Sequence, residues 1–175
     1  MKKKIIFLDR DGVINKEVGY LSKIKDFKFI DGVFESCRYF GNLGYELIIV
    51  TNQSGISRGF YSETDFTKLN SWMINEFKLQ KINILDVFYC PHSPKDLCNC
   101  RKPQPGMLLQ ANEKYGIDME KSWMIGDSER DIQAANLAGI SNTIIVRSGH
   151  AIDEKNSKSK FIIDSIKFSL EIVKY

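Results

Sequence analysis

Long apolar runs are missing from this 175-residue chain. None reaches the roughly 20 residues that a bilayer-spanning helix needs, so no membrane partner is expected. The start, Lys2-Lys3-Lys4 followed by Ile5 to Leu8, is interrupted by Asp9, Arg10 and Asp11 before it can serve as a secretory leader. The expected location is therefore the cytoplasm. A dense basic block is also missing: the formal net charge is only +3, with Lys and Arg spread along the chain. Together with the lack of interleaved aromatic and basic clusters, this argues against a nucleic-acid partner, whereas a small anionic substrate is compatible with it. There is no internal repeat, no low-complexity tract and no Pro/Ser-rich linker, so residues 1–175 read as a single domain, expected to act as a monomer. Cysteine is scarce, with four residues, and histidine scarcer, with two. Three of the cysteines crowd together with one histidine between Cys90 and Cys100, a grouping that reads as metal binding in a reducing compartment rather than as disulfides. Cys37 stands apart in an amphipathic segment and reads as a small core residue. His150 lies in a polar loop and receives no role.

What the chain does contain is a regular alternation. Short apolar runs at Lys4–Leu8, Glu46–Val50, Leu85–Tyr89, Ser122–Ile125, Thr143–Val146 and Phe161–Ile163 read as buried strands. Helical patterns lie between or after them at Gly32–Asn42, Glu63–Leu79, Pro105–Tyr115, Glu129–Ala138 and Ser165–Val173, with stop signals at Gly44, Gly116 and Gly139. This order predicts an α/β fold, a mainly parallel sheet covered by helices on both faces, with ligands at the carboxyl ends of the strands. The polar motifs obey that rule. Asp9 and Asp11 follow the first strand, Thr51 and Asn52 the second, Cys90 and His92 the third, and Gly126 and Asp127 the fourth. Residues 15–30 and 53–62 overhang the same rim, where substrate-selecting loops sit.

Each motif has its own chemistry. Two carboxylates one residue apart at a strand end can share a divalent cation, with magnesium the natural guest. Asp9 can then attack phosphorus while Asp11 protonates the leaving oxygen and later activates water. Taken alone, Asp-Arg-Asp-Gly is equally a solvated turn. Thr51 and Asn52 offer a hydroxyl and an amide to phosphate oxygens, or else merely end a strand. Arg58, between Ser57 and Gly59, suits a second anionic group on the substrate, or is plain surface. Lys102 can neutralise charge developing during phosphoryl transfer, and Asp127 can complete a metal's ligand set. Asp131, one helical turn on, is expected to orient that loop. Cys90-Pro91-His92 and, five residues later, Cys98-Asn99-Cys100 supply the three thiolates and one imidazole of a closed, structural zinc site.

Together these motifs resemble the haloacid dehalogenase (HAD) superfamily of phosphatases, in its heptose bisphosphatase and histidinol phosphatase branch. The resemblance spans about residues 5–150 and rests on Phe7-Leu8-Asp9-Arg10-Asp11-Gly12-Val13-Ile14-Asn15, Thr51-Asn52-Gln53-Ser54-Gly55-Ile56, the segment Cys100-Arg101-Lys102-Pro103, and Ile125-Gly126-Asp127. It implies a Rossmann-like three-layer sandwich with no large cap domain and a zinc-bound loop. It also implies that Asp9 is nucleophile and magnesium ligand, Asp11 general acid/base and magnesium ligand through its carbonyl, and Asp127 the third protein ligand. Phosphate contacts are implied for Thr51, Asn52 and Lys102, and substrate recognition for Arg101. Glu17, Val18, Gly19 and Tyr20, with Gln53 and Ser54, would line the entrance. The Ser54 to Gly59 segment looks like the heptose enzymes, which implies hydrolysis of D-glycero-D-manno-heptose 1,7-bisphosphate at the 7-phosphate, a step in surface-polysaccharide precursor synthesis. Those enzymes often carry Lys where Ser128 stands, so one contact to the substrate's phosphate is missing or replaced. The alternatives are a histidinol-phosphate or other small phosphomonoester phosphatase and, more remotely, a zinc-stapled binding module without turnover.

Overall fold

The computed structural model describes residues 2–174. Its centre is one parallel sheet of six strands: β1 Ile5–Leu8, β2 Glu46–Asn52, β3 Ile84–Cys90, β4 Trp123–Gly126, β5 Asn142–Val146 and β6 Phe161–Ile163. The strand order is β3-β2-β1-β4-β5-β6. The strands are apolar almost throughout because both faces are covered, as a parallel sheet requires. Alternate residues separate into two cores. Ile6, Leu8, Leu47, Ile49, Ile125 and Ile144 pack on one face against α1 (Val33–Asn42) and α2 (Glu63–Leu79). Ile5, Phe7, Ile48, Val50 and Met124 face the other way, against α3 (Gly106–Tyr115) and α4 (Glu129–Leu137). Cys37 is buried in the first core beside Phe40. These two helical layers and the sheet make the expected three-layer sandwich, and no large cap domain is present among the described residues.

Two local features position the site. From β1 the chain runs outward one way through β2 and β3, then crosses back so that β4 pairs with the other side of β1. The carboxyl ends of β1 and β4 therefore flank the switch point where α/β sheets open a crevice. Strand β2 also runs two residues further than its apolar run indicates. Thr51 and Asn52 still pair with Tyr89 and Cys90 of β3, which ties the second motif to the third.

The C-terminal helix expected at Ser165–Val173 is instead a 3₁₀ segment, Ile166–Glu171. Its two buried residues, Ile166 and Ser169, are three apart, the spacing that puts side chains on one face of a three-residue turn. The Ser36 hydroxyl donates to the Ile166 carbonyl at 3.0 Å and fixes the segment on α1. No helix among the described residues is long and apolar enough to cross a membrane.

Candidate active site

Strand β1 ends by donating the Asp9 N–H to the Ile125 carbonyl of β4 at 2.9 Å, which holds Asp9 at the switch point. The next residues turn tightly: Ile14 N–H reaches the Arg10 carbonyl at 2.8 Å and Gly12 N–H the Asn15 carbonyl at 2.7 Å. Gly12 adopts φ 83°, which favours glycine. The turn is not a solvated one. Arg10 is 1% exposed, and its Nη2 meets both Asp11 oxygens at 2.9 and 2.8 Å. Asn15 donates to Asp11 Oδ1 at 2.9 Å and Gln53 to Asp11 Oδ2 at 3.1 Å. Gln53 also donates to Thr51 Oγ1 at 2.8 Å, and its own oxygen accepts from Tyr61 at 2.6 Å. Asp11 is thus aimed by a network running from β1 to the loop after β2.

Lys102 is 2% exposed, with its ammonium 2.9 Å from Asp9 Oδ1 and 2.6 Å from Asp131 Oδ1. It also donates to the Val50 carbonyl at 2.8 Å. Burial works against that charge, but Asp131 and Asp9 overcome it and hold the lysine above its ordinary pKa. The Asn52 side chain fixes the Lys102 peptide from both sides: Nδ2 donates to its carbonyl at 3.1 Å and Oδ1 accepts its N–H at 3.0 Å. One amide N–H of Asn52 remains for the cleft. Asp131 does orient its loop. Its Oδ2 accepts from Ser128 N and Oγ at 3.0 and 3.1 Å, a capping box for α4, while Oδ1 faces Lys102.

Asp127, at the end of β4, is buried between two glycines. A Cβ on Gly12 would lie 2.2 Å from its Oδ2, and one on Gly149 only 1.9 Å away. The carboxylate oxygens of Asp9, Asp127 and Asp131 come within 4.8 Å of one another and could hold a metal ion. Burial pushes the Asp9 carboxyl well above the usual carboxylate range; Lys102 pulls it back, and Asp131, Asp127 and Asp11 push it up further. Burial likewise raises Asp127, Asp131 adding to the effect and His150 opposing it.

Above this floor lies a cleft of about 400 Å³. Glu17, Gly19, Tyr20, Ser54, Arg58, Arg101 and Ser128 line it together with Asp9, Asp11, Thr51, Asn52, Gln53, Lys102 and Asp127. Val18 is the exception among the residues singled out in the sequence for catalysis, phosphate contact or substrate recognition. It is 55% exposed and lines a neighbouring groove instead, because Gly19 and Tyr20, both at positive φ, turn the chain between it and the cleft.

The second metal-competent cluster adjoins the first. Cys90 Sγ lies 3.5 Å from Cys98 and 3.0 Å from Cys100, Cys98 and Cys100 are 3.4 Å apart, and His92 Nδ1 is 3.2 Å from Cys100 Sγ. These separations are close to the ~3.8 Å edge of a tetrahedron with ~2.3 Å metal–sulfur bonds. All four cysteines are free of disulfides. The loop is seated on α3 through Gly106 N–H to Asn99 O at 3.0 Å, and Arg101 Nη1 donates to the His92 carbonyl at 3.2 Å.

Comparison with known proteins bears on this geometry directly. A family model described as HAD-hydrolase-like matches residues 99–168. D-glycero-alpha-D-manno-heptose-1,7-bisphosphate 7-phosphatase of Campylobacter jejuni is 51% identical over 146 residues, covering 83% of this chain and 84% of that one. The beta-anomer 7-phosphatase of Vibrio cholerae is 43% identical over 175 residues, covering 95% and 94%. The chain belongs to the HAD phosphatases of the heptose-bisphosphate branch. A crystal structure of the D,D-heptose 1,7-bisphosphate phosphatase of B. bronchiseptica, complexed with magnesium and phosphate, superposes with a TM-score of 0.84 at 28% identity over 97% of both chains.

In this HAD phosphatase several residues at the cleft carry no sequence signal of their own. His150, left without a role above, pairs through Nδ1 with Asp127 Oδ2 at 2.6 Å and donates its backbone N–H to the same oxygen at 3.0 Å. The two residues are 23 positions apart in sequence, and only the crossover after β5 joins them. Tyr61 and Arg130 reach the cleft in the same unannounced way. Arg10 too had no role in the sequence reading, although a cation between two acidic residues invites pairing.

Proposed function

We propose that this phosphatase removes the 7-phosphate of D-glycero-D-manno-heptose 1,7-bisphosphate. The observation that carries the proposal is the polarity of the cleft: four carboxylates and Lys102 at its floor, Arg58 and Arg101 at its rim. A sugar with a phosphate at each end matches both. The Asp9 carboxylate attacks the 7-phosphorus and forms an aspartyl phosphate. Asp11, held by Arg10, Asn15 and Gln53, gives its proton to the departing sugar oxygen and then takes one from the water that hydrolyses the intermediate. Lys102 and the Thr51 hydroxyl counter charge on the phosphoryl oxygens, acting from fixed positions that need no reorganisation.

The donor set fits a hard divalent cation, since buried carboxylates that repel one another beside a glycine-lined cradle are neutralised by such an ion. Asp9 and Asp127, with the Asp11 carbonyl, would hold magnesium, and both oxygens of Asp131 are already engaged. Magnesium would supply charge neutralisation for the approach of one anion to another. The Cys90, His92, Cys98 and Cys100 set fits zinc in a closed site, and its part would be to stiffen the loop carrying Arg101 and Lys102. Unpaired thiols in such a set support a cytoplasmic location, and one sheet with a core on each face supports a single domain, 1–175. The deciding experiment is a comparison of kcat/KM for the heptose bisphosphate and for histidinol phosphate, with and without magnesium. The proposal expects magnesium-dependent preference for the bisphosphate, and higher efficiency on histidinol phosphate would overturn it.

A further inference from the structure

Arg130 occupies the first turn of α4, where the helix dipole disfavours a cation. Its neighbours there have structural partners: Glu129 accepts from Ser157 and from Lys158 N–H, and Asp131 faces Lys102. Arg130 has none among the described residues, neither hydrogen bond nor ion pair. It is exposed, yet it lines the active-site cleft together with Arg58 and Arg101. With Arg101, Lys102 and Pro94 it also lines a second cavity of about 400 Å³ beneath the zinc-competent loop. Arg130 and Arg101 therefore stand on the wall shared by the two spaces. Arg58, Arg101 and Arg130 thus bring three cations to one cleft. Arg130 gains no hydrogen bond or ion pair from this placement among the described residues, whereas an anion bound between it and Arg101 would satisfy several forked donors at once.

We propose that Arg130 is a specificity-determining residue, which with Arg101 binds the substrate's second, non-reacting phosphate on the zinc-loop side of the cleft. The proposal rests on the bisphosphate reading above. It also assigns a cation to the rim where Ser128 stands in place of the lysine that heptose enzymes often carry: the charge is supplied two residues further along the same helix.

The test compares wild type, Arg130→Gln and Arg130→Lys on heptose 1,7-bisphosphate and on heptose 7-phosphate, which lacks the second phosphate. Arg130→Gln should reduce the preference for the bisphosphate about tenfold, the loss of one charge-assisted hydrogen bond, mostly through KM and less so as salt is raised. Arg130→Lys should recover part of the preference. Arg130→Gln with undiminished preference, or with equal losses on both substrates, overturns the inference and leaves the proposed function standing. A wild-type enzyme that does not distinguish the two substrates overturns the inference as well, and one that cleaves neither overturns the proposed function.

Discussion

Adding a single methyl group at Gly149 should disable the enzyme without unfolding it. A Cβ there would stand 1.9 Å from Asp127 Oδ2, and ordinary contact begins at 3.4 Å, so carboxylate and loop must separate by 1.5 Å. Asp127 has nowhere to retreat, being 1% exposed with Gly12 on its other side. Overpacking of this kind costs about 1–3 kcal/mol, and a catalytic group displaced by about 1 Å loses on the order of a hundredfold in rate. In Gly149→Ala, kcat/KM should fall about a hundredfold and the magnesium concentration for half-maximal activity should rise, with Tm lowered by only some ~3–10 °C. Gly139→Ala is the control. Gly139 sits at φ +88° just beyond α4, with its nearest prospective neighbour at 4.0 Å, so alanine there costs about 1–2 kcal/mol of backbone strain and should lower Tm while leaving kcat/KM intact. The variants are compared by magnesium-dependent kinetics and by thermal denaturation. Wild-type kinetics in Gly149→Ala would refute the idea that a glycine cradle fixes Asp127.

Other consequences concern the supports of the site. Tyr61→Phe leaves Gln53 Oε1 without its 2.6 Å donor, a loss of about 1–3 kcal/mol at a buried acceptor, and should lower kcat and move the acid limb of the pH–rate profile; an unchanged profile would separate Gln53 from the aiming of Asp11. Cys98→Ser should reduce bound zinc, lower Tm and weaken turnover through Arg101 and Lys102, whereas metal-free protein with full activity and unchanged melting would contradict a structural role for that loop. Because burial raises Asp9 and Asp127 above the usual carboxylate range, the folded metal-free state binds more protons than the unfolded one. Its stability should therefore decline as pH rises from the ordinary carboxylate pKa through the raised values. Magnesium should offset that decline, so the Tm increase it causes should grow as pH rises above the ordinary carboxylate pKa; a constant increase would count against metal binding at these carboxylates.

The sequence made the frame legible because its signals are local. Strand-length apolar runs, the glycines that end helices and polar residues just after strands all survive into the structure. The strand order, with β3 beside β2 and β4 beside β1, was not legible; the rule that ligands gather at strand ends placed only the motifs on one rim. What could not be read depends on tertiary contact. His150 reaches Asp127 across a crossover, Gln53 turns inward because Tyr61 caps it, and Val18 turns away because two successive positive-φ residues redirect the loop. Asn52 offered an amide to phosphate in the sequence, but much of that amide secures the Lys102 peptide, a partner 50 residues away. The Ile166–Glu171 segment looked helical for want of any local cue to its three-residue period.

The proposed mechanism depends above all on Asp9 as nucleophile and Asp11 as acid and base. It is tested most directly by acid-quenching Asp11→Asn during reaction with p-nitrophenyl phosphate, whose leaving group needs no proton, and mapping any covalent phosphate by mass spectrometry. A phosphoryl group should accumulate on Asp9 in Asp11→Asn and be absent from Asp9→Asn, which should be inactive. A phosphoryl group on another residue, or turnover that persists in Asp9→Asn, would contradict it.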